Sequence, residues 1–254
     1  MNDNGGMDTA GVARFETRRL PLGRLDPPPP GHVDVWFLDL VRLGNPLHHE
    51  AGGEAGFASP RAERTVRRFY TRLLLGAYLG LPGKDVHLVR SARGKPLLDP
   101  ARHADRLFHS VARSAGRCVV GVSGEVPVGI DLEPADRRPG NALGLARRYF
   151  SAAEAERLAG LEPPALEIAF MHAWACKEAV VKAGGGGIAN NLCRFTVETD
   201  PRRPAALLAT EDGEAADWTL LRFHPEPGLV GALAAPAPGL AVRAWRLEGP
   251  ARPA

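Results

Sequence analysis

Each half of this chain carries one long segment that reads as helix, set among short strand-like runs. The first, 59–81, opens on Ser59-Pro60, an N-cap followed by proline at a position where its missing N–H costs nothing, and it stops at Pro82-Gly83. The second, about 164–183, reads PALEIAFMHAWACKEAVVKA and runs into Gly184–Gly187, which supply a left-handed cap and a loop. Val33, Val35 and Phe37 alternate with Asp34, Trp36 and Leu38, so a strand is predicted within 32–43. Further strands are predicted at 86–89, 117–123, 128–133, 194–198, 217–223, 229–235 and 240–246. The turn Gly124-Glu125-Val126-Pro127 makes 117–123 and 128–133 read as a hairpin. Short helices are predicted at 142–150 and 152–159, the second restarted by a capping box from Ser151 and Glu154. One long helix plus short strands in each half predicts an α+β fold of two lobes. The expected organisation is a mobile arm over 1–31 ending in DPPPPG, an N-terminal lobe over 32–126, a C-terminal lobe over 127–246 and a tail over 247–254.

Composition narrows the function classes. The 254 residues are 44% apolar and 24% charged, enough for a core in each lobe. No uncharged apolar run is long enough to span a membrane. The polar, glycine-rich start lacks a basic and apolar signal segment, so a cytoplasmic protein is expected. The three cysteines include no C-x-x-C pair, which argues against a disulfide framework or a zinc site. Net charge is only +3, yet RAERTVRRFYTR at 61–72 holds five arginines and one glutamate. That run is either a solvated helix face or a site for a polyanion, and composition does not choose between them. Only Phe69 and Tyr70 interleave with it and no nucleic-acid module matches, so nucleic acid is not the expected partner.

Two short segments carry the chemistry. In Gly129-Ile130-Asp131-Leu132-Glu133 the carboxylates are two residues apart, and on a strand they project from one face while Ile130 and Leu132 point to the other. Two close carboxylates repel, and a hard divalent ion such as magnesium resolves the conflict. The bland alternative is the polar face of an edge strand. On the second long helix Glu178 and Lys182 are four apart and share a face. They form either a surface ion pair or a third metal ligand with a phosphate-neutralising cation beside it.

V-G-I-D-L-E at 128–133, followed by W-A-C-K-E-A-V-V-K at 174–182, resembles the paired signature of the 4′-phosphopantetheinyl transferases, in the larger single-chain class typified by the surfactin enzyme. Between them A-R-R-Y-F-S-A-A-E at 146–154 resembles that family's R-x-F-x-x-x-E segment, and R-S-A-R-G-K-P at 90–96 its G-K-P loop. The likeness covers roughly residues 32–245. It implies two similar α/β lobes in a pseudo-two-fold arrangement, with coenzyme A between them as co-substrate. It implies Asp131, Glu133 and Glu178 as magnesium ligands, Glu178 also as base toward the carrier serine, and Lys182 on the diphosphate. Arg90, Lys95 and an arginine of 61–72, Arg64 the first choice, are implied at the 3′-phosphoadenosine end. The implied reaction moves phosphopantetheine from coenzyme A to a serine of an apo acyl or peptidyl carrier protein in fatty-acid, polyketide or peptide synthesis. The chain is expected to act as a monomer.

One motif departs from the family. Where it carries S-H-S before the hairpin, alignment on V-G-I-D places Ala112-Arg113-Ser114, so Arg113 stands for the histidine with Ser114 beside it. Arginine binds phosphate well and is always charged. His109-Ser110 is the nearest His-Ser pair, but it lies several residues earlier and reads as loop or core. The departure leaves a second reading open, a catalytically inactive module of the same fold that grips carrier protein or coenzyme A. The basic, apolar surface near 141–150 and the loop 184–191 are the expected docking elements for a carrier that is acidic around its serine.

Overall fold

The computed structural model describes residues 14–44, 57, 59–103, 107–185 and 192–250. The strands are β1 (Phe15–Arg19), β2 (His32–Asp39), β3 (Leu88–Arg90), β4 (Pro96–Leu98), β5 (Phe108–Ser114), β6 (Arg117–Ser123), β7 (Gly129–Pro134), β8 (Phe195–Val197), β9 (Leu207–Thr210), β10 (Thr219–Phe223), β11 (Leu229–Ala235) and β12 (Ala241–Glu248). The helices are α1 (Leu40–Gly44), α2 (Pro60–Leu79), α3 (Pro100–His103), α4 (Ala142–Tyr149), α5 (Ala152–Ala159) and α6 (Ala165–Ala183). This is a mixed α+β fold. The two main sheets run β1-β12-β2-β6-β5 and β10-β11-β7.

Strand alternation builds four layers. On β2, Trp36 and Leu38 pack with Leu74, Leu75 and Tyr78 of α2, while Val33, Val35 and Phe37 face the second sheet. On β11, Leu233 and Ala235 meet that shared core, while Ala232 and Ala234 lie under α6. The order is therefore helix, sheet, sheet, helix, with one long helix covering each sheet. The cap signals hold: Ser59 Oγ accepts from Ala62 N–H, and Ser151 and Glu154 form the capping box.

Three expectations change. The hairpin joins β5 to β6, not β6 to β7. Its two-residue turn, Ala115-Gly116, has φ of 46° and 75°, the left-handed pair that suits a tight hairpin. Both edges of β6 are taken by β2 and β5, so β7 crosses to the other sheet and pairs with β11. The arm expected over 1–31 contributes a strand, because Phe15–Arg19 pairs in parallel with β12. The last strand, placed with the C-terminal lobe, instead lies between β1 and β2 in the first sheet and runs on to Glu248, inside the expected tail. The outer edge of β2 was open, and Arg243 fastens β12 there through two bonds to the buried Asp34, at 2.6 and 2.8 Å. Residues 1–13 of the arm and 251–254 of the tail lie outside the described residues.

Candidate active site

The site forms where the edge strands of the two sheets, β5 and β7, come together. Ile130 N–H donates to Ser110 Oγ at 3.2 Å across that junction. Gly129 brings α6 down onto β7. A Cβ there would stand 1.9 Å from the carbonyl oxygen of Ala179 and 2.3 Å from the backbone nitrogen of Ala183, a space that only glycine leaves open. With the helix seated this closely, the outward face of β7 lies against the last turns of α6. Ile130 and Leu132 point into the shared core, as alternation predicted. Asp131 and Glu133 point the other way, toward Glu178 and Lys182, and Asp131 and Glu178 are buried.

Three carboxylates thus share a poorly solvated place with one nearby lysine. Lys182 Nζ donates to Asp131 Oδ1 at 2.5 Å, and Arg137 reaches Glu133 at 3.4 Å from the exposed side. Burial raises the pKa of Asp131 despite Lys182. Burial and then Asp131 raise that of Glu133. Glu178 is pushed up to about 7, chiefly by burial and next by the Asp131 charge. Asp131 Oδ2 and Glu178 Oε1 are buried and find no hydrogen-bond partner among the described residues. Unpaired buried acceptors are costly, and an all-oxygen donor set of this kind suits a hard divalent cation. Among the described residues no group of three or more His, Cys, Asp or Glu side chains already stands as a metal cage. Lys182 holds Asp131 in its place.

Of the three carboxylates, Glu178 lines a long trough, while Asp131 and Glu133 are not among its lining residues. Glu178 and Lys182 line a cleft of about 400 Å³ with the G-K-P loop and His109-Ser110. It shares Pro96, His109 and Val111 with a second cleft of about 590 Å³, whose wall is Arg64, Arg67, Arg68, Arg72 and Arg90. Four of the five arginines of the α2 run therefore line a cleft, Arg64 and Arg68 among them while also exposed to solvent. Arg67 and Arg72 each keep a buried Nε that lacks a hydrogen-bond partner among the described residues. One end of the trough holds the orphaned acceptor of Glu178 and the other orphaned arginine donors.

The expected nucleotide residues are brought together in part. Arg64 and Arg90 line the second cleft, and Arg90 also donates to Gly94 O at 2.8 Å. Lys95 lines the first, but its ammonium donates to Val128 O at 2.8 Å and Lys182 O at 2.6 Å. Arg113 and Ser114 are not among the lining residues: β5 turns away at Ala115-Gly116, and Arg113 pairs with Glu63 at 3.4 Å. His109, read from sequence as loop or core, lines both clefts. It is 2% exposed, its Nε2 makes no hydrogen bond to a described residue, and burial with Lys95 pushes its pKa down to about 4. The signal for it was the His-Ser pair itself, masked by a hairpin placed one strand too late.

Sequence reasoning also missed what holds the site from behind. Lys177 is fully buried beside Glu178, and its ammonium bonds both oxygens of Glu154 and the carbonyl of Phe195, each at 2.7 Å. Glu154 is therefore both a helix cap and the counter-charge beneath α6. Arg147 and Arg148 are exposed on α4, while most of the expected docking loop 184–191 lies outside the described residues.

Residues 127–235 match the 4′-phosphopantetheinyl transferase superfamily. The chain is 33% identical over 190 residues to 4′-phosphopantetheinyl transferase HetI of Nostoc sp., covering 74% of this chain and 77% of that one. It is 31% identical over 147 residues to 4′-phosphopantetheinyl transferase psf-1 of Bacillus pumilus, covering 57% and 54% of the two chains. It is 28% identical over 172 residues to 4′-phosphopantetheinyl transferase Sfp of Bacillus subtilis, covering 62% and 74%. The chain belongs to the 4′-phosphopantetheinyl transferase superfamily. Its likeness to HetI, psf-1 and Sfp places it in the larger class. No described helix is long and apolar enough to cross a membrane.

Proposed function

We propose that this protein, as a cytoplasmic monomer, transfers 4′-phosphopantetheine from coenzyme A to a serine of an apo acyl or peptidyl carrier protein. The observation that carries the reading is the trough with the orphaned Glu178 oxygen, beside the buried Asp131, at one end and orphaned arginine donors at the other. A ligand that is polyanionic at one end and bears a metal-binding diphosphate in the middle satisfies both. Arg64, Arg90 and their neighbours on α2 take the 3′-phosphoadenosine end, and His109 and Ser110 stand where Arg113 and Ser114 were expected. Asp131, Glu133 and Glu178 would hold magnesium, which when bound neutralises the diphosphate oxygens.

The chain's own residues do the rest. The serine oxygen attacks the β-phosphorus, the bond to the α-phosphate oxygen breaks, and adenosine 3′,5′-bisphosphate leaves with that electron pair. Glu178 takes up the hydroxyl proton, directly or through a water, and passes it to solvent. Lys182, at the mouth of the cleft, balances charge on the phosphoryl oxygens. Arg147 and Arg148 meet the acidic surface of the carrier. The test is to incubate the protein with coenzyme A, magnesium and a panel of apo carriers and to weigh the carriers. A carrier heavier by one phosphopantetheine is the expected result. Coenzyme A binding without any modified carrier would favour the inactive-module reading instead.

A further inference from the structure

The lysine of the G-K-P loop is engaged in a way its motif does not suggest. The loop joins β3 to β4, whose Leu88 and Leu98 pack with the core beneath α2. Val128 and Lys182 belong to the other half, one entering β7 and the other in the last turn of α6. Lys95 Nζ bonds the carbonyls of both. The loop is stiff enough to aim it. Ser91 N–H donates to the Lys95 carbonyl, Lys95 N–H donates back to Ser91 Oγ, Gly94 turns at φ +85°, and Arg90 braces the Gly94 carbonyl. Lys95 therefore grips, from the cleft side, the joint where Gly129 lets α6 sit on β7. A cation bonded to a carbonyl of a helix's last turn is favourable in its own right.

We propose that Lys95 is a positioning residue, a latch that ties the first half of the molecule to the β7–α6 joint and so holds Lys182 and the carboxylates at their working distance across the cleft. Its ammonium is directed at two carbonyls and not at the nucleotide. The inference deepens the transferase reading and rests on it for the activity readout.

Lys95→Met keeps the aliphatic stem and removes the latch. Turnover should fall about 10–100-fold, the range that small misplacements of reacting groups produce. The Kd for coenzyme A and its salt dependence should stay within about threefold of wild type, as for a residue acting only on the transition state. Amide hydrogen exchange should speed up at 93–96 and in the last turn of α6. A tenfold weaker Kd with a shallower salt slope would make Lys95 a phosphate ligand and overturn the proposal, as would unchanged turnover. Lys95→Arg guards against a variant that does not fold. It keeps a cation able to donate to carbonyls, so turnover should recover relative to Lys95→Met with Kd retained, and turnover no better than that of Lys95→Met overturns the latch. If the wild-type protein modifies no carrier, the transferase reading fails, and hydrogen exchange still decides the latch, with unchanged exchange refuting it.

Discussion

The two long helices, α2 and α6, do the same structural work and opposite electrostatic work. Each covers one sheet with an apolar face. α2 carries its charges as arginines along a cleft wall, where side chains can bend toward solvent. α6 is buried along nearly all of its last three turns, and there it carries Lys177, Glu178 and Lys182. Charge on α2 is cheap and, under the proposed function, available for binding. Charge on α6 is costly and is either paired, as Lys177 is with Glu154, or pushed toward the neutral form by burial, as on Glu178. The difference teaches that substitutions on α6 should move stability or turnover strongly, and those on α2 mainly affinity.

The largest effect should come from Lys177→Met. It leaves Glu154 buried and unpaired, and breaking a buried pair from one side costs about 3–5 kcal/mol of stability. Chemical denaturation would measure it. A loss as small as that of a surface pair would remove Lys177 from the support of α6.

Next is Glu178→Gln, expected to lower kcat about 10²–10³-fold, the scale of losing one preorganised electrostatic group. Its stability should move the other way. Glu178 has a raised native pKa, so the native state holds a proton that the unfolded chain has lost. That contribution is complete below the ordinary carboxylate value of 4.5 and is lost as pH rises through about 7. The glutamine variant lacks the decline, so its Tm advantage over wild type should grow between about pH 5 and pH 8. A variant with full turnover would take Glu178 out of the chemistry.

Gly129→Ala should cost about 1–3 kcal/mol, because overpacking must push α6 off β7. Turnover should fall with it, since the carboxylates depend on the same contact. The smallest effect is expected from Arg64→Ala, about tenfold in the Kd for coenzyme A at unchanged kcat, with a shallower salt dependence. A kcat loss there without a change in Kd would erase the contrast between the helices.

Much of this was legible in sequence because it was local. Ser59-Pro60, the Ser151–Glu154 box and the alternation in Gly129–Glu133 fix their elements within a few residues. The family motifs brought Asp131, Glu133, Glu178 and Lys182 to one place, and the structure puts them there. What escaped was long-range. The strand β1, FETRR, is polar and exists because β12 offers it an edge. The Ala115-Gly116 turn has no strong signature, since alanine rarely adopts a positive φ, and misplacing it hid His109. The Lys177–Glu154 pair joins residues 23 apart on two helices, and nothing local in either segment announces it.

A divalent cation held by Asp131, Glu133 and Glu178 is the feature on which the proposed transfer most depends. Its most direct test is calorimetric titration of magnesium, with coenzyme A present, into the wild-type protein and Asp131→Asn near neutral pH. The account predicts wild-type binding with proton release, as the cation draws Glu178 into its ionised form, and binding weaker by about tenfold or more in the variant. Magnesium that does not bind, or that binds equally well without Asp131, would contradict it.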